Sequence, residues 1–229
     1  YSSAASMCIR DRYITEYLSN EIKPGKVNSS PSQLLEVVQE NKLTHLALFK
    51  GLDFVGNISE EDLIELSIDD EKVDYTSYLE SFYLSELSTL LDAIHMMYTN
   101  QANILPILNE QSRYVGFITE TDIINTFANF PFVAAQGVSM LVSIAEKDLS
   151  MTAISNIIEV NNGKILGMMI VGNNEDSVYV LLKFSSSNLL AIGETFERYG
   201  YQVIQKFYND EKQELLQSRY AQLLKYMNT

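Results

Sequence analysis

A nine-residue motif occurs twice in this chain, and the relation between its two copies is the strongest constraint on the fold. Residues 56–64 read GNISEEDLI, and residues 116–124 read GFITETDII, 60 positions later. Five of the nine positions are identical, and the Ser/Thr and Leu/Ile replacements preserve hydroxyl and apolar character. Self-similarity at a fixed offset indicates a duplicated structural unit. We therefore expect two copies of one supersecondary arrangement.

The same offset extends upstream of the motif. Apolar residues at helical spacing, followed by a short apolar run, recur in the second copy, which predicts the order helix, strand, turn, strand, helix in each. We expect the first copy over residues 13–68, an acidic linker over 69–80 and the second copy over 81–130. The paired positions are Leu34 with Ile94, Val37 with Met97, Val38 with Tyr98, and the run 45–48 with 105–108.

Each motif marks the point where a strand ends and a helix begins. Ser59 and Thr119 can cap that helix by accepting a backbone N–H, and Asp62 and Asp122 can reach back to the cap residue. A second interpretation uses the same atoms. A helix N-terminus with a hydroxyl group binds phosphate, and a nearby carboxylate can accept the two hydroxyls of a ribose. The residues alone leave both interpretations open.

The repeat with its (Ser/Thr)-x-x-Asp ending resembles a pair of CBS domains over residues 22–130. The resemblance implies that the two copies stack pseudo-symmetrically and that the cleft between them holds AMP or another adenosyl ligand, with no cofactor required. It also implies that the motif residues contact the ribose and phosphate of that ligand. These residues are Thr119 and Asp122 in the second copy and Ser59 and Asp62 in the first.

The resemblance also assigns a strand residue beside the expected adenine pocket. Pro106, in the run Leu-Pro-Ile-Leu, matches the proline that flanks the pocket in CBS domains. At the offset of 60, Leu46 stands at the corresponding position of the first copy, which departs from the family pattern.

The last third of the chain follows a different pattern. Alternating and helical apolar spacings over residues 137–208 predict the order β-α-β-β-α-β, the ferredoxin-like arrangement. This segment resembles an ACT domain, a regulatory module that often binds amino acids at dimer interfaces. The loop at 146–150 lacks the glycine and proline of the family's ligand loop, which favours a structural or dimerising role. A CBS pair followed by such a domain resembles the bacterial acetoin-utilisation-type CBS proteins.

The two ends of the chain are interpreted separately. Residues 1–12 have neither helical nor strand periodicity, and we expect a non-native or frayed tail there. Residues 209–229 have apolar residues at helical spacing and predict a C-terminal amphipathic helix. This helix is expected to pack on its own domain or on a second subunit of a homodimer.

Composition excludes several classes of partner. The chain has 30 acidic and 16 basic residues, a formal charge of −14, whereas nucleic acids and anionic membranes are bound chiefly through Lys and Arg. The charge-free stretch 123–145 contains Pro131 and Gly137, so we interpret it as a helix followed by a strand and not as a membrane span. With no secretory signal pattern at its start, the chain is expected to be cytoplasmic.

Catalytic motifs are also missing from the sequence. It contains no glycine-rich phosphate loop, dinucleotide fingerprint or nucleophile elbow. The single cysteine, Cys8, excludes an internal disulfide, and two histidines cannot build a metal cluster alone. His45 and His95 are interpreted as packing or cleft-lining residues. No enzyme and no metal site is predicted.

The sequence therefore predicts an α+β protein: a tandem CBS pair, a ferredoxin-like (ACT-like) domain and a C-terminal helix. The expected function is a non-catalytic regulatory module that senses an adenosine-containing ligand in the cleft of the pair. Two alternatives remain, a ligand-free dimerising scaffold and an ACT-type amino-acid sensor.

Overall fold

The computed structural model describes residues 14–68 and 74–207, which divide into two compact units. The first unit ends at Ala128 and the second begins at Asn129. The expected tail at 1–12, the expected helix at 209–229 and residues 69–73 of the expected linker lie outside the described residues.

The first repeat forms a three-stranded sheet with two helices. A 3-10 turn (Ile14–Tyr17) precedes β1 (Gly25–Lys26), α1 (Pro31–Glu40), β2 (His45–Lys50), β3 (Asp53–Ser59) and α2 (Glu60–Leu66). The sheet order is β1-β2-β3, with β1 parallel to β2 and β3 antiparallel to it. A capping box starts α1, in which Ser30 and Gln33 satisfy each other's backbone N–H groups.

The second repeat has the same order of elements. A 3-10 turn (Tyr75–Ser77) precedes β4 (Leu84–Ser85), α3 (Leu90–Asn100), β5 (Ile104–Leu108), β6 (Tyr114–Thr119) and α4 (Glu120–Ala128). The sheet order is β4-β5-β6, again with one parallel and one antiparallel pair. A capping box between Thr89 and Asp92 starts α3.

Upstream of the motif, the offset between the repeats is 59 residues, and the predicted offset of 60 is wrong there. The buried residues of α1 are Pro31, Leu34 and Val38, and those of α3 are Leu90, Ala93 and Met97. Tyr98, which the sequence comparison paired with a core residue, is 83% exposed. The register of the strands shows the cause. Seven residues join the paired positions Leu48 and Gly56, but eight join Ile107 and Gly116.

The two repeats exchange backbone hydrogen bonds through the segments that precede their first strands. Ser19 and Phe117 donate N–H groups to each other's carbonyl oxygens, both at 3.0 Å. Asn57 and Glu80 do the same at 2.8 Å. The end of the expected linker is therefore part of the folded unit, since residues 75–77 form a 3-10 turn and Glu80 bridges to the first repeat.

The second unit is a four-stranded antiparallel sheet with helices. The elements are α5 (Pro131–Ala134), β7 (Val138–Ala145), α6 (Met151–Val160), β8 (Lys164–Asn173), β9 (Ser177–Ser185), α7 (Leu189–Arg198) and β10 (Gln202–Phe207). The sheet order is β10-β7-β9-β8, and the core includes Met140, Phe184 and Phe196, all fully buried. A 3-10 turn at Glu146–Asp148 occupies the loop in which the ACT-type ligand loop was expected.

Helices in the described part of the chain are short. None of them is long and apolar enough to cross a membrane. The charge-free stretch 123–145 is divided among the end of α4, the four-residue α5 and strand β7.

Candidate functional site

A cleft opens between the two repeats of the first unit and is lined by residues from both. It encloses about 280 Å³, including open space at its mouth. Its walls are formed by Ile22, Lys23, Pro24, Leu46, Ala47 and Asn57 of the first repeat, and by Ile104, Pro106, Tyr114 and Phe117 of the second.

Pro106 lines this cleft, and its counterpart in the first repeat is Ala47. In β2 and β3, Ala47 is opposite Asn57, and in β5 and β6, Pro106 is opposite Phe117. All four of these residues line the cleft. The sequence-based pairing of Pro106 with Leu46 is therefore wrong by one position, because the second hairpin contains one more residue than the first.

Asn57 brings a fixed amide to the wall of the cleft. Asn57 is 1% exposed, and its Nδ2 donates a hydrogen bond to the carbonyl oxygen of Phe82 at 2.7 Å. That bond holds the amide group in place, because a buried donor without a partner is costly. The bond also ties the first repeat to the segment just before β4.

Tyr114 provides a second polar group. Burial raises the pKa of its phenol to about 12, so the hydroxyl is neutral at physiological pH and can donate a hydrogen bond. Its ring meets the ring of Phe49 edge-on, with centroids 5.4 Å apart. Within the described residues, no protein group is hydrogen-bonded to the Tyr114 hydroxyl. A ligand in the cleft is therefore a candidate partner for it.

The predicted motif residues form helix caps. In the second copy, Oδ2 of Asp122 accepts the Thr119 backbone N–H at 2.9 Å and the Thr119 hydroxyl at 2.6 Å. The backbone N–H of Asp122 donates to the Thr119 hydroxyl oxygen at 3.2 Å. In the first copy, the Ser59 hydroxyl donates to Asp62 at 2.5 Å and accepts the Asp62 N–H at 3.0 Å.

None of these four residues is among the residues that line the cleft. Thr119 pairs with Ile104 across β5 and β6, and Ile104 lines the cleft. Ser59 pairs with His45 in the same way across β2 and β3. The structure thus brings each (Ser/Thr)-x-x-Asp motif to an edge of the region where the repeats meet.

His45 is a buried residue at the junction of the repeats. Its Nδ1 is 3.0 Å from the Thr44 hydroxyl, and its ring meets that of Phe82 edge-on at 5.4 Å. Its Nε2 is 3.7 Å from Oε1 of Glu80, which is longer than a hydrogen bond. Burial lowers the pKa of His45, although the negative charges of Glu80 and Asp62 oppose that change. By contrast, His95 is exposed on α3.

Pro106 is the lining residue that was predicted as a site residue, and the lining residues that were not include Asn57, Tyr114 and Phe117. Asn57 and Phe117 are the second residues of the two motifs, where the repeats differ most in chemical character. That difference within an otherwise matched motif was the available signal. In the described ranges, no group of three or more His, Cys, Asp and Glu side chains is arranged to hold a metal ion.

Comparisons with known proteins point to one family. Residues 79–129 match the family model described as "CBS domain". No curated protein matches the chain.

Solved structures resemble the chain at low identity. One is a CBS domain pair/ACT domain protein from Thermotoga maritima, at 15% identity and a TM-score of 0.45, covering 50% of this chain and 95% of that one. Another is CBSX2 in complex with AMP, at 16% identity and a TM-score of 0.43, covering 51% and 96%. A third is the CBS domain pair of MJ0100 with 5-methylthioadenosine and S-adenosyl-L-methionine, at 18% and 0.41, covering 51% and 95%.

The family match falls on the second repeat, from the residue before Glu80 to the residue after Ala128. The first repeat has the same order of strands and helices over residues 25–66. The chain therefore contains a CBS domain at residues 79–129, preceded by a second copy of the same architecture.

Proposed function

We propose that this chain is a non-catalytic regulatory module that binds an adenosine-containing ligand in the cleft between its two repeats. The observation that carries the proposal is the composition of the cleft. Apolar residues of both repeats form most of its walls, and the polar residues among the lining set are Asn57, Tyr114 and Lys23. Apolar walls with a small number of placed polar groups are typical of sites for small organic ligands.

The apolar part of the cleft suits a planar base. Ala47 and Pro106 are equivalent residues of the two repeats, and Phe117 adds an aromatic ring. A purine between these side chains would remove apolar surface of both repeats from water. The hydroxyl of Tyr114 can donate a hydrogen bond to a ring nitrogen of the base, and Oδ1 of Asn57 can accept one from the exocyclic amino group of an adenine.

The ribose and phosphate are proposed to bind at the motif residues, chiefly Thr119 and Asp122, with Ser59 and Asp62 as their counterparts. Both bonds of the Asp122 cap go to Oδ2, so Oδ1 has no hydrogen-bond partner in the described part of the chain. It can accept a ribose hydroxyl without breaking the cap. Of the first three backbone N–H groups of α4, those of Glu120 and Asp122 donate to the Asn103 carbonyl and the Thr119 hydroxyl, so the N–H of Thr121 is the one proposed to meet the phosphate.

Charge favours a ligand with few phosphates. Lys23 is the cation among the lining residues, and Glu120 lies directly beside Thr119. A polyphosphate would bring several negative charges to a chain whose formal charge is already −14. AMP or a cationic adenosyl compound therefore fits better than ATP.

Regulation follows if the ligand binds one arrangement of the repeats better than another, since only differential affinity can shift a conformational equilibrium. A ligand held by both repeats favours the arrangement in which their walls face each other. We propose that the ACT-like second unit passes this change to a regulated partner or to the other subunit of a homodimer.

The test is a thermal-shift screen of the full chain with AMP, ADP, ATP, S-adenosylmethionine, NAD(H) and the amino acids. A ligand at about 100 times its Kd adds about 2.7 kcal/mol of stability. For a chain of this size, that raises the melting temperature by roughly 5–10 °C. A shift with an adenosyl compound supports the proposal, and a shift with amino acids alone replaces it with an amino-acid sensor. If none of the compounds gives a shift, the proposal is wrong and the ligand-free scaffold replaces it.

The chain offers a matched pair of variants for this screen. Asp122→Asn removes the charge of the proposed ribose acceptor and keeps an oxygen for the cap. Asp92→Asn makes the same change in an identical Thr-x-x-Asp cap, where Asp92 accepts the Thr89 N–H at 2.7 Å and its hydroxyl at 2.8 Å, on an exposed helix end. We expect Asp122→Asn to reduce the ligand-induced shift to about half or less, and Asp92→Asn to retain it in full.

A further inference from the structure

The two repeats offer two pseudo-equivalent places for a ligand, one beside Thr119 and one beside Ser59. We infer that the chain binds one adenosyl ligand per molecule, beside Thr119, and that the rings of Phe82 and His45 occupy the equivalent place beside Ser59. This inference rests on the proposed function, because it concerns the number and the location of the ligands.

The segments that complete the two places differ in length. In the first repeat, Ser19 pairs with Phe117, and five residues, 20–24, lie between Ser19 and β1; three of these five line the open cleft. In the second repeat, Glu80 pairs with Asn57 in the equivalent way, and only three residues, 81–83, lie between Glu80 and β4. The shorter segment follows a tighter path, and its middle residue, Phe82, is 6% exposed.

Aromatic side chains meet where the second ligand would bind. The Phe82 ring lies edge-on to the ring of His45 at 5.4 Å, and the ring of Tyr83 lies edge-on to that of Phe54 at 5.6 Å. His45 and Phe82 are both buried. The rings of Phe82 and His45 therefore occupy the space that a planar base would need in the second place.

The open cleft has different residues at the equivalent strand positions. Ile104 in β5 is at the position that His45 has in β2, and Tyr114 in β6 is at the position that Phe54 has in β3. Ile104 and Tyr114 line the cleft, and the ring of Tyr114 meets the ring of Phe49 edge-on. The open place thus gains a hydroxyl where the filled place has a second phenyl ring.

A consequence follows for the two motif aspartates. Asp122 is next to the open place and is available to a ligand. The negative charge of Asp62 acts on the imidazole of His45. The hydrogen bonds of Asp62 are made with Ser59. In this inference Asp62 only caps α2, although its sequence context matches that of Asp122.

The experiment is isothermal titration of the full chain with AMP and with S-adenosylmethionine. We expect one molecule bound per chain. Asp122→Asn is expected to weaken binding about tenfold or more, since it removes a hydrogen bond to a charged acceptor. Asp62→Asn is expected to change the affinity by less than about twofold. Two molecules per chain, or equal losses with the two variants, would overturn the inference and leave the proposed function standing.

Photolabelling with 8-azido-AMP locates the ligand without any variant. Label on the peptide that contains Tyr114 supports the inference, and label on the peptide that contains Phe82 and Tyr83 refutes it. If neither probe binds and no adenosyl compound shifts the melting temperature, the proposed function fails and this inference fails with it.

Discussion

Thr44 and Asn103 bind each other across the junction of the two repeats. The backbone N–H of Thr44 donates to Oδ1 of Asn103 at 2.9 Å, and the backbone N–H of Asn103 donates to the Thr44 hydroxyl oxygen at 2.9 Å. The residues are 59 positions apart and precede the equivalent strands β2 and β5. Their carbonyl oxygens accept the backbone N–H groups of Glu60 and Glu120, the first residues of α2 and α4. This pair therefore links the two helix starts at which the motifs lie.

Replacement of Asn103 by alanine is expected to destabilise the chain by about 1–3 kcal/mol. The change removes the acceptor of the Thr44 N–H and the donor to the Lys42 carbonyl, and an unsatisfied, partly buried donor costs about that much. Urea unfolding measures the difference. Asn100→Ala is the control, because among the described residues the Asn100 amide donates only to the carbonyl oxygen of Met96 in its own helix. Equal losses in the two variants would show that the link between the repeats adds no stability.

His45 is expected to make stability fall in mild acid. Burial lowers its pKa in the folded state, so the unfolded chain binds the proton more readily. The stability contribution of the neutral imidazole is complete above the unfolded pKa of about 6.5 and decreases as the pH falls through that value towards the folded pKa. Urea unfolding between about pH 7.5 and 5.5 checks this.

The matched variants for this test are His45→Ile, which copies the equivalent residue Ile104, and His95→Gln on an exposed helix surface. We expect His45→Ile to reduce the acid-dependent loss and His95→Gln to leave it unchanged. The same pH dependence in the wild type and in His45→Ile would assign the loss to other groups.

Much of the fold could be predicted from the sequence, because apolar periodicity and the repeated motif are local signals. The strands ending at Ser59 and Thr119 and the helices that follow them lie where the motif predicted them. In the second unit, the alternation that predicted β9 is observed as a strict alternation of buried and half-buried residues over Ser177–Ser185.

The composition of the cleft could not be predicted, for two physical reasons. The second hairpin has one residue more than the first, and a one-residue difference in register exchanges the faces of a strand. For this reason the sequence alignment matched Pro106 with Leu46, whereas its structural counterpart is Ala47. The contact between Asn57 and Phe82 joins residues 25 positions apart, on opposite sides of the junction. Such contacts depend on how the repeats pack and leave no local periodicity.

Tyr114 is expected to be among the last tyrosines to ionise. Burial raises its pKa to about 12, against about 10 for a solvated phenol. Since the folded pKa is the higher one, its contribution to stability is complete below about pH 10 and decreases as the pH rises towards 12. Spectrophotometric titration of phenolate absorbance in the wild type, Tyr114→Phe and the exposed control Tyr98→Phe checks this among the 14 tyrosines. If the wild type and Tyr114→Phe differed in phenolate absorbance only below pH 10, the Tyr114 phenol would not have the raised pKa that burial gives it.

Gly167 on β8 is expected not to tolerate a side chain, because Phe132 of α5 lies against it. A Cβ atom at Gly167 would collide with the Phe132 ring, whereas a Cβ at Gly172, five residues along the same strand, would meet nothing within 4 Å. Gly167→Ala should therefore lower the free energy of unfolding by about 1–3 kcal/mol. Gly172→Ala should leave it unchanged or raise it slightly, since glycine is unfavourable inside a strand.

Urea unfolding of a double-mutant cycle assigns that loss to Phe132. If the ring is the obstacle, Gly167→Ala should cost little in a chain that already carries Phe132→Ala, so the two changes would be non-additive. The same cycle with Gly172→Ala should be additive, because its Cβ would have no neighbour within 4 Å. An undiminished loss from Gly167→Ala in the Phe132→Ala chain would mean that the backbone of β8, and not the ring, excludes the side chain.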